Sequence, residues 1–327
     1  MNYPVPRRLA LPLLVAALFA VWTVAGLRPL LGSLARNAGF LAYNNARNSQ
    51  QPDSETAQRA AAFLEQATKL NPADTSAWRA LGYARLSLDE EEGAVAAWRQ
   101  TETMATELLT MGQAAEDAGD NPQALRWYER AITVAPATAE AWLRAGTIYE
   151  VQGDANQAMA VYRDGASAAP ANSDLLYRMA EIAIQQPAPV DWGAVLALVD
   201  RAIAQDNYLH EWSRLRSHFL RGESLLYLGR EAEALAEFTA LAARQPVDYV
   251  SLVRYGELTW KLKGDLEEAD RVLRQAIAGE PDIKWAYISL AWVYDEAGHQ
   301  ATAAALYARV LELDPDDRAA NRWFEQQ

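Results

Sequence analysis

The chain has 327 residues, no cysteine, and a formal net charge of −13. Cysteine's absence excludes disulfides, thiolate zinc sites, C-x-x-C-H haem attachment and a lipoprotein cysteine. The charge is segregated: residues 1–52 hold five arginines (Arg7, Arg8, Arg28, Arg36, Arg47) and no acid, so all 43 acidic residues lie in an acidic body that would repel a phosphate backbone, which excludes nucleic acid as a partner.

The first element in chain order is apolar. Leu9–Leu27 is a charge-free run of 19 residues, about 28 Å long as a helix and close to the hydrocarbon thickness of a bilayer. Residues 1–8 form a short basic tail before it. Arg28 and Pro29 are expected to end it, and Trp22 to sit near one interface. The length fits a single uncleaved transmembrane anchor; a signal peptide cleaved near Thr23–Leu27 is the alternative, because small residues stand there. The basic residues are nearly balanced across the run. A short N-terminal tail inside and a long polar body on the outer, periplasmic side of the inner (plasma) membrane is the orientation expected.

Residues 28–74 read as a linker followed by a degenerate helix pair, with Ala61–Pro72 as its second helix. From residue 75 the chain repeats. Gly82 is followed twelve residues later by Ala94, Gly112 by Ala124, Gly146 by Ala158, Gly222 by Ala234 and Ala291 by Ala303. Gly256 to Ala269 is one residue longer, and Ala180 to Ala194 two. Prolines close units at Pro72, Pro136, Pro170, Pro246, Pro281 and Pro315. Each unit predicts two amphipathic helices joined by a tight turn, commonly at a glycine (Gly119, Gly153, Gly229, Gly264, Gly298). Small residues let the two backbones approach, and large ones such as Trp142, Tyr149 and Tyr162 fill the space around the crossing. Proline ends the second helix. One hairpin cannot bury its own apolar surface, so neighbours must stack.

The pattern resembles the tetratricopeptide-repeat family. Trp142, Ala145-Gly146, Tyr149, Ala158, Tyr162, Gly165 and Pro170 carry it in one unit; Tyr287, Leu290-Ala291, Tyr294, Ala303, Tyr307, Val310 and Pro315 carry it in the last. The resemblance implies an all-α, right-handed α-α superhelix of seven to eight helix pairs over residues 75–317, preceded by one transmembrane helix. Residues 318–327 are expected to form a capping helix with Trp323 and Phe324 inward. The first unit lacks its proline, and the fourth carries a long turn at Gln185–Gly193.

No phosphate-loop, nucleophile-elbow or H-E-x-x-H motif is present. His210, His218 and His299 have no second ligand at helical spacing, so no metal, cofactor or catalytic set is expected. Asp89–Gly93 reads as acids at a helix start. Trp78, Trp98, Trp127 and Trp142 occupy core slots, with Met104 and Met111 as filler. The resemblance implies that first helices line a concave face. Its slots in the later units are Tyr177, Glu181, Phe219, Glu223, Tyr227, Val253, Glu257, Trp260, Trp285, Ile288, Trp292 and Glu296, aromatics interleaved with carboxylates. Such a groove suits a protein or peptide, in particular a basic amphipathic segment; the equal alternative is that some of these aromatics pack between units. The carboxylate-clamp residues of the family's chaperone-binding branch are largely missing. A membrane-anchored scaffold for cell-envelope assembly or secretion is the function expected. A glycan-contacting accessory of polysaccharide export ranks second, and an enzyme far behind, since one glutamate per repeat makes no acid–base pair.

Overall fold

The computed structural model describes the backbone of residues 7–48, 54–187, 189–244 and 248–326; in the first helix, side-chain surroundings are described for residues 26–46. The tail before Arg7, the Trp22 interface position, the other side chains of residues 9–25 and Pro246 lie outside the described residues. Among the described residues the regular structure is helical, with seventeen helices and no strand. They fall into two compact units, residues 1–148 and residues 149–327.

The first unit contains α1 (Arg7–Asn48), α2 (Ser54–Leu70), α3 (Thr75–Leu86), α4 (Glu91–Trp98), α5 (Met104–Asp117), α6 (Asn121–Val134) and most of α7 (Ala139–Val151). The second contains α8 (Ala155–Ala168), α9 (Ser173–Gln185), α10 (Trp192–Gln205), α11 (Glu211–Tyr227), α12 (Glu231–Ala242), α13 (Tyr249–Lys263), α14 (Leu266–Gly279), α15 (Lys284–Glu296), α16 (Gln300–Leu313) and α17 (Arg318–Glu325). Within each unit, packing runs mainly between consecutive helices, with added contacts such as α1 to α3, α9 to α11 and α13 to α15. That is the nearest-neighbour pattern of a stacked repeat.

Local chemistry sets the helix ends. Asp120, Asp154, Asp191, Asp265 and Asn172 accept a hydrogen bond from the backbone N–H three residues on, capping the helix each precedes. The hairpin turns at Gly119, Gly153, Gly229, Gly264 and Gly298 take φ between +64° and +81°, the left-handed region where a Cβ is penalised. Asp89 stands in for glycine in the first repeat at φ +59°, a conformation aspartate tolerates better than most residues. Proline carbonyls are used as acceptors between repeats: Trp78 Nε1 donates to Pro72 O at 2.9 Å and Trp142 Nε1 to Pro136 O at 2.8 Å. Asn321 fills the same role toward Pro315 at 3.1 Å.

The crossing inside a hairpin differs from the expected small-on-small contact. Ala94, Ala124, Ala234 and Ala269 are fully buried, but the group over each first-helix glycine lies about one turn further on. A Cβ added to Gly222 would stand 2.6 Å from the Phe238 ring, and one on Gly256 2.7 Å from Leu273. Gly82 and Gly112 are covered in the same way by Trp98 and Tyr128. The glycine therefore makes room for a large side chain of the second helix. Of the four tryptophans expected in core slots, Trp98 is fully buried, whereas Trp78, Trp127 and Trp142 are half-buried.

Two boundaries need correction. Arg28 and Pro29 do not end the first helix, which continues to Asn48. A proline removes one backbone donor, and here that loss does not stop the helix. Residues 28–48 are accordingly not a linker but a first helix that packs against α2. Among the described residues no helix is long and apolar enough to cross a membrane. At the other end α17 docks Trp323 on Tyr307, ring centroids 5.0 Å apart, while Phe324 stays exposed.

Candidate functional site

The second unit opens a cleft of about 460 Å³ between three first helices. On α13, Arg254, Glu257, Leu258 and Lys261 line it, a spacing that puts all four on one helical face. From α11 come Glu223, Leu226 and Tyr227; Glu231 enters from the first turn of α12, and Trp292 from α15. The floor is apolar and the charges stand around it.

Those charges are mostly committed to one another. Arg254 Nε meets Glu223 Oε1 at 2.7 Å and its Nη2 meets Oε2 at 3.1 Å; Nη1 reaches Glu257 at 3.0 Å. The Ser289 hydroxyl donates to the second oxygen of Glu257. The guanidinium also lies 5.3 Å from the centre of the Trp285 ring. Burial works against this charge, yet the two carboxylates outweigh it and hold the guanidinium above its ordinary pKa. At the rim, Lys261 Nζ pairs with Glu231 at 2.6 Å. Three carboxylates face two cations, leaving one negative charge for a ligand.

The groove slots read from the sequence separate into four groups. Glu223, Tyr227, Glu257 and Trp292 do line the cleft. Tyr177 and Val253 do not: both are 0 % exposed, Tyr177 edge-on to Trp212 at 5.5 Å in the core beneath α9 and α11. Trp260, Trp285 and Ile288 are half-buried and pack against core side chains, as does Phe219, whose ring meets Phe238 edge-on at 5.8 Å. Glu181 is bonded to Arg178 at 2.7 Å, and Glu296 is exposed outside the cleft. Tyr227 is 62 % exposed and stacks flat on Trp192 of α10, centroids 4.0 Å apart and planes 7° from parallel. That stack pre-orients the ring.

The sequence reading missed the arginines. Arg254 has a counterpart in Arg178, which bonds Glu150 and Glu181 at 2.7 Å each. In the first unit Arg144 bonds Glu140 at 2.8 Å and Glu116 at 3.4 Å. Two of these networks also take a second-helix tyrosine: Tyr128 to Glu116 and Tyr162 to Glu150, both hydroxyls donating. The Glu116, Tyr128, Arg144 set recurs as Glu150, Tyr162, Arg178, one repeat later on all three positions. That constant step was the signal available in the sequence. No group of three metal-binding side chains occurs among the described residues; His218 bonds Glu237 at 3.0 Å.

The first unit has its own cleft, about 550 Å³, with Tyr43, Tyr83, Met111 and Trp127 in its wall. Tyr83 donates to Glu107 at 2.8 Å; burial first, and then that bond, raise its phenol pKa.

Residues 109–173 and 262–318 match the model of the tetratricopeptide repeat, and those two stretches carry such repeats. No curated protein matches this sequence. Among solved structures, PilF of Pseudomonas aeruginosa aligns over 68 % of this chain and 97 % of its own, at 15 % identity and a TM-score of 0.55. PilW, a type IV pilus biogenesis factor, aligns over 68 % and 100 % at 16 % identity with a TM-score of 0.52. The Cut9-Hcn1 assembly of the APC/C aligns over 83 % of this chain and 52 % of its own, at 14 % identity with a TM-score of 0.51. At these identities the likeness is one of fold.

Proposed function

We propose that this chain is a membrane-anchored repeat scaffold that holds a protein partner in the α11–α13–α15 cleft and works in cell-envelope assembly or secretion. Tetratricopeptide repeats bind proteins or peptides, and the cleft supplies what such binding needs: an apolar floor, one pre-stacked aromatic and a charged rim. The observation that carries the reading is Tyr227. It is the most exposed aromatic at the cleft and is held rigid from behind by Trp192, as an anchoring residue should be.

The partner segment is an apolar side chain flanked by a basic residue, since the cleft keeps one surplus negative charge. The glycan reading has less support, because stacking on sugars needs free ring faces. Arg254 lies over the Trp285 ring, and one face of Tyr227 is covered by Trp192. Catalysis has less support still, because the cleft carboxylates are tied up in ion pairs rather than poised near a reacting atom. Anchoring falls to Leu9–Leu27, which lies within α1. The repeats are then placed outside the inner membrane, with the N-terminus inside.

A photo-reactive phenylalanine analogue at position 227, in full-length protein in native membranes, tests the site. It is expected to give a discrete protein adduct that the same analogue at exposed Val151 does not. Equal labelling from both positions would refute the cleft. Membrane retention of the full chain but not of residues 26–327 tests the anchor; that shorter chain keeps the α1 face that packs on α2.

A further inference from the structure

Over its described side chains, residues 26–46, α1 has two seams, one covered and one open. The covered seam is small: a Cβ on Gly32 would meet Asn71 at 3.1 Å, one on Gly39 would stand 2.6 Å from Leu64, and Arg36 bonds Asp74 at 2.9 Å. These positions, with Ala42 and Tyr43, face α2 and the core around it. On the opposite side stand Leu27, Leu30, Leu31, Leu34 and Leu41, between 49 % and 64 % exposed. Leu27, Leu34 and Leu41 are spaced by sevens, with Leu30 and Asn37 between them, which is the a and d pattern of a coiled-coil seam.

We propose that this seam pairs α1 with α1 of a second copy, in parallel and in register. Lipid cannot cover its far end. If the hydrocarbon ends near Leu27, then Leu34 stands about 10 Å and Leu41 about 21 Å beyond it, whereas the headgroup layer is about 5–8 Å deep on each side. The pattern itself calls for a helix, and three features fit an identical one. Copies inserted in one membrane run parallel, so equal positions meet. No charged residue stands at a seam or seam-flanking position from Gly26 to Asn45, so nothing repels a like helix and nothing selects an unlike one. Asn37 carries an amide that both donates and accepts, so it can bond its own copy across a two-fold axis.

The patch is on the order of 400 Å², within the range of the largest patch on a monomer, against about 800 Å² per partner for a stable soluble complex. Pairing therefore depends on confinement in the membrane. The pairing and its parallel sense, though not the exposed seam itself, rest on the anchoring proposed above.

The chain has no cysteine, so single cysteines report without background. Full-length Leu34→Cys and Leu41→Cys, oxidised in native membranes, are each expected to give a disulfide-linked species of twice the chain mass, at least ten-fold above Val151→Cys. Yields equal to that control, or an adduct of any other mass, would overturn the second-copy proposal. Dimer at only one of the two positions would overturn the parallel register. Alkaline carbonate washing of the same membranes tests anchoring separately, because a chain that washes off refutes the anchor whatever the cross-linking shows. A Leu30→Cys reporter combined with Leu34→Glu and Leu41→Glu is expected to lose its dimer at least ten-fold with an unchanged melting midpoint, since neither leucine is in the core. A persistent dimer there would overturn the proposal as well.

Discussion

Arg254 grips Glu223 through two parallel bonds, 2.7 and 3.1 Å, across 31 residues of sequence. The pair joins successive hairpins and fixes the shape of the cleft floor. Arg254→Ala would strand two half-buried carboxylates, Glu223 and Glu257. Loss of about 1–3 kcal/mol is expected, the usual cost of leaving such groups unpaired. Arg254→Lys should recover only part of it, because an ammonium cannot make the bidentate bond. Chemical denaturation of the three proteins measures both effects.

Glu223→Gln and Glu257→Gln act through the same network. Had these carboxylates been free to meet a basic ligand, their replacement would change association alone. Being bonded to Arg254 and Ser289, they are expected to lower the melting midpoint as well. A midpoint equal to that of the parent protein would show that the network carries no stability.

Gly222→Ala tests the hairpin crossing. Alanine is the better helix former by about 1 kcal/mol, so on an open helix it would stabilise. Here its Cβ would stand 2.6 Å from the fully buried Phe238 ring, and overpacking costs about 1–3 kcal/mol. Net destabilisation is expected in urea unfolding. Combining it with Phe238→Leu should restore part of the loss; additive losses would place the glycine elsewhere.

Asp317 gives the last helix a pH dependence. Burial opposes its charge, but Lys284 at 2.7 Å and the N–H groups of Ala319 and Ala320 outweigh that, so its pKa lies below the ordinary aspartate value. A depressed carboxylate contributes stability that is present above its unfolded pKa, about 3.9, and is lost as pH falls through the folded value. Docking of α17 is therefore expected to weaken below about pH 4, reported by Trp323 fluorescence. Asp317→Asn should lower stability at neutral pH and flatten that acid transition. An unchanged transition in the variant would assign it to another group.

Much of the fold was legible because it rests on local rules that recur. Each left-handed glycine, each aspartate cap and each tryptophan bonded to a proline carbonyl announces itself within a few residues. The site was less legible. Reading slots by equal steps assigns them all to the open face, but Trp212 of α11 closes edge-on over Tyr177 of α9. Tyr177 is buried there, and Val253 at the equivalent slot of α13 is buried as well, so that slot points into the core rather than into the groove. Ion pairs such as Arg254 with Glu223 depend on how one hairpin rotates against the next, which no single repeat specifies. The end of α1 was misread because a proline was taken as a stop, when it removes only one backbone donor and the helix runs on into the α2 contact that begins at Gly32.

The cleft around Tyr227 is proposed to hold a protein. The most direct test is quantitative co-purification from detergent-solubilised membranes, comparing the full chain with Tyr227→Ala. The ring's stack on Trp192 contributes about 0.5–1.5 kcal/mol, so its removal is expected to lower the melting midpoint by no more than about 2 °C. An anchoring aromatic typically contributes at least about 2 kcal/mol, so recovery of the partner should fall about 30-fold in affinity terms. A folded Tyr227→Ala protein that retains every partner at parental yield would contradict the account.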